Sequence, residues 1–445
     1  MGRDRPGRVT AVIGFCLAAG AGTRLEPLTR ATPKPLLAPA GRPLLDLAVE
    51  ALQRAGATRV VVNAHHGADQ LVGHLAGRAG VEVVVEPVLL GTGGGLINAA
   101  HLGLLGTGDD PVLVTAADHV LDPADLTDLA EFLERSGTPM ATGLIPATTN
   151  PFRLRLEAAT GSPGPGVPGG EPSPPGGRIV PDPAGTPDGP RGRKERDPDH
   201  GRRHSVGGRV ARDPAGPWDS AGAYALRAGL LSDLEPGPAT LSERVLGPLL
   251  DQGRLAGLPF RRPEADAGTL ARLLDVSTGL LTGRWPYDLP AGRLRQAAGA
   301  GAVFVAEGAE VDPAAVLAGP VVVDTGARVG AGAVVTRSVV GPRAVVGPGA
   351  RVTGSFLGPG AQLLPGATAT DALVPGSPAE PANPAQPAPG PLGPVPSLPG
   401  ADPDAPRPDP PLRWPNPDPS APGPPVGERS PTQDGGRRVV HNPPT

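Results

Sequence analysis

The sequence predicts an α/β protein: a mostly parallel sheet covered by helices, followed by a short parallel β-helix. Three observations carry this. Short runs that are apolar throughout alternate with helical patterns over roughly residues 9–155, as expected for strands buried on both faces. After Val303 an aliphatic-and-glycine unit recurs without a gap at a spacing of 17 residues, the signature of stacked coils. The 66 glycines and 62 prolines make up about 29% of the chain, the range that marks segments unable to build a core.

The elements follow in order. Val9 to Leu17 reads as a buried strand, short, apolar and closed by glycine. Pro43 to Ala55 has helical spacing in Leu44, Leu47, Ala48 and Leu52 and ends near Gly56. "TRVVVNA" is a second strand, "ADQLVGHLAG" a helix, "VEVVVE" a third strand and "GGLINAAHLGLL" a helix. "DPVLVTAAD" is a strand ending at Asp118, and "DLTDLAEFLERSG" is a helix with Asp125 near its start and Gly137 after its end. Ligands of such sheets bind outside the carboxyl ends of the strands, where Gly20–Arg24 and Asp118 lie.

From about Thr160 to Pro217 the pattern fails, and a disordered Gly/Pro-rich insertion is expected. Order resumes at "WDSAGAYALRAGLLSDL", so the first domain spans 9–285. The repeat fills 300–370: "VTRSVVGPRAVVGPGA" (Val335–Ala350) aligns over "VTGSFLGPGAQLLPGA" (Val352–Ala367). The Pro-rich stretch 371–445 is expected to be disordered.

Composition narrows the function. A formal net charge of −4 gives no general support for nucleic-acid binding. No apolar run approaches the ~18 residues of a membrane span. The single cysteine, Cys16, excludes an internal disulfide framework and suits a reducing cytoplasm. The amino-terminal arginines and apolar run have the look of a signal peptide, but the run leads directly into a glycine/arginine segment with a structural use. His65-His66 has no nearby third ligand and is not read as a metal site. "RGRKER" is read as a solvated loop.

That segment, "LAAGAGTRLEPLTRATPKP" (Leu17–Pro35), carries the chemistry. Gly20 and Gly22 permit a sharp turn that brings N–H groups to an anion. Arg24 can fork onto phosphate oxygens. Pro33 and Pro35 hold Lys34 in an extended stretch, which places its point charge. Two cations on a glycine turn suit a triphosphate. A P-loop would need Gly-Lys-Ser/Thr at its end, and a dinucleotide fingerprint would need a glycine at Leu25.

The stretch resembles the sugar-1-phosphate nucleotidyltransferase signature, L-A-[AG]-G-x-G-T-R-L-x-P-L-T-x-x-x-P-K-P, at every fixed position. The resemblance implies a Rossmann-like nucleotidyltransferase domain and a left-handed β-helix. It implies a nucleotide loop of Ala18, Ala19, Gly20, Gly22, Thr23 and Arg24, with Arg24 and Lys34 acting on the phosphates. "LLGTGGGLINAA" is similar to the family's L-G-T-[AG]-G segment and adds Gly91 and Thr92 on the base and sugar side. "VLVTAAD" and "EADAGTLARLLDVSTGLL" resemble the two metal-aspartate segments, implying Mg²⁺ on Asp118 and Asp266, with Glu264 where tryptophan is usual. "WDSAGAYALRAGLL" resembles N-A-G-I-Y-x-L, with Ser220 at the usual asparagine and Gly222 beside it on the sugar side.

The acceptor side departs from the pattern. Arg153 stands at the glycine of P-x-G-V-V, and the Glu-Lys of F-x-E-K-P is missing; Arg153 or Arg212 is the candidate replacement cation. The resemblance implies transfer of a nucleotidyl group from an NTP to a sugar 1-phosphate, with GTP and mannose the first choice and UTP or dTTP with another sugar the alternative. A homo-oligomer acting without nucleic acid or membrane is implied as well. A non-catalytic regulatory paralogue is the competing reading. A repeat-domain acyltransferase is disfavoured because residues 303–370 contain no histidine.

Overall fold

In β1 (Val12–Leu17), Phe15 and Cys16 are fully buried on opposite faces of a sheet, which explains why the run is apolar throughout. The protein is represented by a computed structural model that describes residues 12–147, 154–156, 207–213, 215–297, 301–376 and 439–441. Most of the Gly/Pro-rich insertion and most of the Pro-rich stretch lie outside the described residues, as does Arg153.

The alternation expected from the sequence is present. After β1 come α1 (Leu44–Arg54), β2 (Ala57–Ala64), α2 (Ala68–Leu75), β3 (Val81–Val85), α3 (Gly91–His101) and β4 (Pro111–Ala116). Next are α4 (Pro123–Ser136), β5 (Met140–Pro146), β6 (Leu154–Leu156), β7 (Gly208–Arg212), β8 (Trp218–Arg227), β9 (Leu255–Pro259) and α5 (Leu270–Leu281). The sheet runs β3-β2-β1-β4-β8-β5-β9-β7-β6, with residues 439–441 added in parallel on the β3 edge. β1 is parallel to β2 and β4, and β9 to β5, whereas β8 is antiparallel to both β4 and β5. Helices α1, α2, α4 and α5 bury their leucines on one face; α3 and residues 241–250 cover the other.

Three expectations change. Residues 208–212, inside the expected insertion of 160–217, form β7, because Val210 is buried and the strand pairs with β6 and β9. Helix α4 starts earlier than Asp125: Asp122 caps it by accepting from Ala124 N at 2.9 Å, and Gly137 ends it at φ 64°. Asp125 turns inward and accepts from Arg262 Nη1 at 2.7 Å. Finally, ordered strands extend past residue 370, since Leu373–Val374 pairs with Phe356–Leu357 and 439–441 joins the sheet.

Residues 301–376 form parallel stacked turns of chain. One sheet runs through Gly301–Ala306, Val316–Val323, Val334–Val340, Arg351–Thr353 and Thr368–Thr370. A second runs through Glu310–Val311, Arg328–Val329, Val345–Val346 and Gln362–Leu363. The 17-residue spacing is the register of the later turns, as in Val345↔Gln362 and Arg351↔Thr368. The earlier Glu310↔Arg328 pair is one residue wider, and an irregularity between Ala318 and Val321 absorbs the difference. Inside the stack Ser338 Oγ accepts from Ser355 N at 3.0 Å, and Ser355 Oγ accepts from Ala372 N at 3.0 Å.

The stack does not hang from a linker. Phe304, Val322, Val339 and Phe356 belong to the same buried cluster as Leu273, Val276 and Leu280 of α5 and Trp285.

Candidate active site

The glycine turn leaves β1 at the carboxyl edge of the sheet. Ala18 N donates to Asn63 Oδ1 at 2.8 Å, which ties the turn to the end of β2. Gly22 sits at φ 65°, and a Cβ there would lie 2.9 Å from Lys34 Cβ, so this position needs glycine. Gly20 faces open space, with nothing within 4 Å of a Cβ, and its backbone is exposed to the cleft. His66 Nε2 donates to the Thr29 carbonyl (3.0 Å), and His65 Nδ1 donates to the Glu86 carbonyl (2.9 Å). Both histidines therefore brace backbone.

A cleft of about 350 Å³ opens here. Ala18, Ala19, Gly20, Gly22, Thr23, Arg24, Lys34, Gly91 and Thr92 all line it, together with Asp118 and Gly268. The two aspartates, remote in sequence, come together through a short antiparallel pairing in which Asp266 lies opposite His119. The Lys34 ammonium donates to Asp118 Oδ2 and stands 3.8 Å from Asp266 Oδ1. Burial pushes the Asp118 carboxyl up, but His119 and Lys34 outweigh it and hold it below the ordinary value. Asp266 Oδ2 accepts from Arg272 at 3.0 Å, while its Oδ1 is buried without a hydrogen-bond partner. Arg24 reaches the same place: a Cβ on Gly268 would lie 2.7 Å from its Nη2 and 2.8 Å from Asp266 Oδ1.

These donors fit a hard divalent cation. Two carboxylates converge, one oxygen is orphaned, and a cationic ammonium occupies the space between them.

Other predicted residues have different work. The Thr92 hydroxyl accepts from Leu241 N at 2.9 Å, and Gly93 N and Gly94 N both donate to the Ala239 carbonyl. The "GTGGG" glycines thus admit the 237–241 backbone, with a Gly93 Cβ only 2.5 Å from the Thr240 carbonyl oxygen. Ser220 Oγ is bound to Thr142 Oγ1 (3.0 Å), Tyr224 Oη (3.2 Å) and Gly222 N (3.3 Å). Gly222, at φ 68°, makes room for the His119 ring. Arg212 lies on β7, at the far side of the sheet from β1.

Sequence reasoning missed Asn63 and Glu86. Asn63 Nδ2 donates to Glu86 Oε1 at 2.8 Å, and Glu86 Oε2 accepts from Leu90 N at 3.3 Å, linking the glycine turn to the start of α3. The signal was present: each is a polar residue directly after a run of three valines.

A glycine turn at the strand ends thus faces a lysine held between two aspartates in an α/β domain. Residues 13–152 match the nucleotidyl transferase family. The chain is 39% identical over 115 residues to N-acetylmuramate alpha-1-phosphate uridylyltransferase of Caulobacter vibrioides, covering 24% of this chain and 46% of that protein. It is 34% identical over 154 residues to mannose-1-phosphate guanylyltransferase of Mycobacterium tuberculosis, covering 31% and 41%. It is 29% identical over 353 residues to the bifunctional protein GlmU of Sorangium cellulosum, covering 76% and 66%. The chain thus spans under half of the first two relatives. No helix among the described residues is long and apolar enough to cross a membrane.

Proposed function

We propose that this chain transfers a nucleotidyl group from an NTP to a sugar 1-phosphate, releasing pyrophosphate. The observation that carries the reading is the convergence of Arg24, Lys34, Asp118 and Asp266 on one cleft at the strand ends. A phosphate oxygen of the sugar phosphate attacks the α-phosphorus, and the bond to the bridging oxygen of the pyrophosphate breaks. Backbone N–H groups of the glycine turn and the Arg24 guanidinium bind the phosphates and hold them in line. Lys34 supplies positive charge where the transition state gathers negative charge. Asp118 and Asp266 would hold Mg²⁺, which when bound neutralises phosphate charge.

GTP with mannose 1-phosphate is the first choice, in keeping with the guanylyltransferase relative. The more identical uridylyltransferase relative favours UTP with another sugar phosphate as the second reading. On the acceptor side Gly222 borders the site through His119, and Ser220 orders the Gly222 amide. The stacked turns at 301–376 are read as a left-handed β-helix, and self-association through it is expected. The test is pyrophosphate release by the purified full chain across GTP, UTP and dTTP, each paired with mannose, glucose and N-acetylmuramate 1-phosphates, with Mg²⁺. Turnover with one pair supports the reading. Nucleotide binding without turnover for every pair favours a non-catalytic regulator.

A further inference from the structure

His119 is placed as though to ligate the cation. It directly follows Asp118 and is the cross-strand partner of Asp266. A ring nitrogen of His119 and one carboxylate oxygen from each aspartate lie within 4.8 Å of one another. His119 Nδ1 is 3.1 Å from the Ala221 carbonyl oxygen. A carbonyl only accepts, so Nδ1 carries the proton in the neutral ring and Nε2 keeps its lone pair. A backbone carbonyl orienting an imidazole in this way is the usual support of a metal-bound histidine.

The seat of the ring is built rather than incidental. Gly222 is in the left-handed region at φ 68°, and a Cβ there would come within 2.5 Å of His119 Cε1 and 3.0 Å of Nε2. Any other residue at 222 would displace the ring from this seat. The orphaned Asp266 Oδ1 completes the set.

We propose that the His119 imidazole is a third protein ligand, giving the site one nitrogen and two carboxylate donors and a preference for Mn²⁺ or Co²⁺ over Mg²⁺. The inference rests on the reading that Asp118 and Asp266 bind a cation. Its chemical basis is that imidazole suits the later first-row ions, whereas Mg²⁺ favours oxygen and retains its waters.

The experiment is Mn²⁺ binding to the full, tag-free chain, followed by electron paramagnetic resonance. Affinity comes from loss of the free-ion signal, and ligation from nitrogen-14 hyperfine coupling in pulsed spectra. The expected result is one site with imidazole coupling. In His119→Asn the coupling disappears and Mn²⁺ affinity falls by at least about 10- to 100-fold, the range for losing even an outer-shell partner of a metal ligand, while competing Mg²⁺ affinity changes less. His119→Gln provides a second variant should the first fail to fold, as judged by circular dichroism. Mn²⁺ bound at the aspartates (lost in Asp118→Asn) without nitrogen coupling overturns the His119 ligand and leaves the cation reading standing. No Mn²⁺ or Mg²⁺ binding overturns both.

Discussion

Lys34 and Asp118, 84 residues apart in the chain, are joined by an ammonium–carboxylate contact inside the cleft. The turn that follows β1 and the strand end of β4 are thereby locked together. Removing one member of a buried ion pair costs about 3–5 kcal/mol. Asp118 keeps 24% side-chain exposure, so Lys34→Met is expected to cost less, about 1–3 kcal/mol. Its pyrophosphate-release rate should fall by about 10²–10³, as for other lost transition-state donors. Denaturant unfolding and the enzyme assay read the two effects separately; wild-type turnover in the variant would remove Lys34 from the mechanism.

Glu86 should make stability depend on pH. Burial pushes its carboxyl above the ordinary value, and the Asn63 amide and Leu90 N–H only partly offset this. The folded chain therefore holds a proton where the unfolded chain, near about 4.3, has already lost it. Stability contributed here is full below that value, falls as pH rises to the folded value, and is level above it. In Glu86→Gln that slope should vanish, with the Asn63 bond retained. Denaturation midpoints of both proteins from pH 4 to 8 check this, and parallel curves would refute it.

Gly95 inverts a common expectation. Replacing a helix glycine by alanine ordinarily gains about 1 kcal/mol. In α3 a Cβ at 95 would lie 2.5 Å from Glu86 Oε1 and 2.6 Å from Asn63 Nδ2. Gly95→Ala is expected to destabilise by about 1–3 kcal/mol through overpacking and to raise KM for the NTP, since Asn63 holds Ala18. A raised Tm would contradict the assignment.

Ser338→Ala tests the stacked turns apart from the cleft. It strips the buried Ser355 N–H of its acceptor, a loss of about 1–3 kcal/mol. Hydrogen exchange at Ser355 should accelerate while kcat stays at the wild-type value. A fall in kcat would tie this corner of the stack to the site.

The strands and the glycine turn were legible because they depend on local pattern: unbroken apolar runs, a turn residue at φ 65°, a spacing of 17. The meeting of Asp118 with Asp266 was legible only through a motif, since it arises from pairing across nearly 150 residues. β7 was hidden by its arginines, Arg209 and Arg212, which flank a single buried valine. The glycines after Leu90 pointed toward a ligand, yet all four of them, Gly91, Gly93, Gly94 and Gly95, make room for the 237–241 backbone or for Glu86, contacts that no local pattern encodes. Ser220, placed by the motif at the usual asparagine, is spent on Thr142, Tyr224 and Gly222 N.

The cluster joining Trp285, α5 and Phe304 makes the stacked turns a foundation for the cleft rather than an appendage. Helix α5 begins at Leu270, just beyond Asp266 and Gly268, and its buried side rests on Phe304, Val322 and Val339. Truncation after Trp285 would strip the support from beneath one wall of the site and uncover Leu273, Val276 and Leu280.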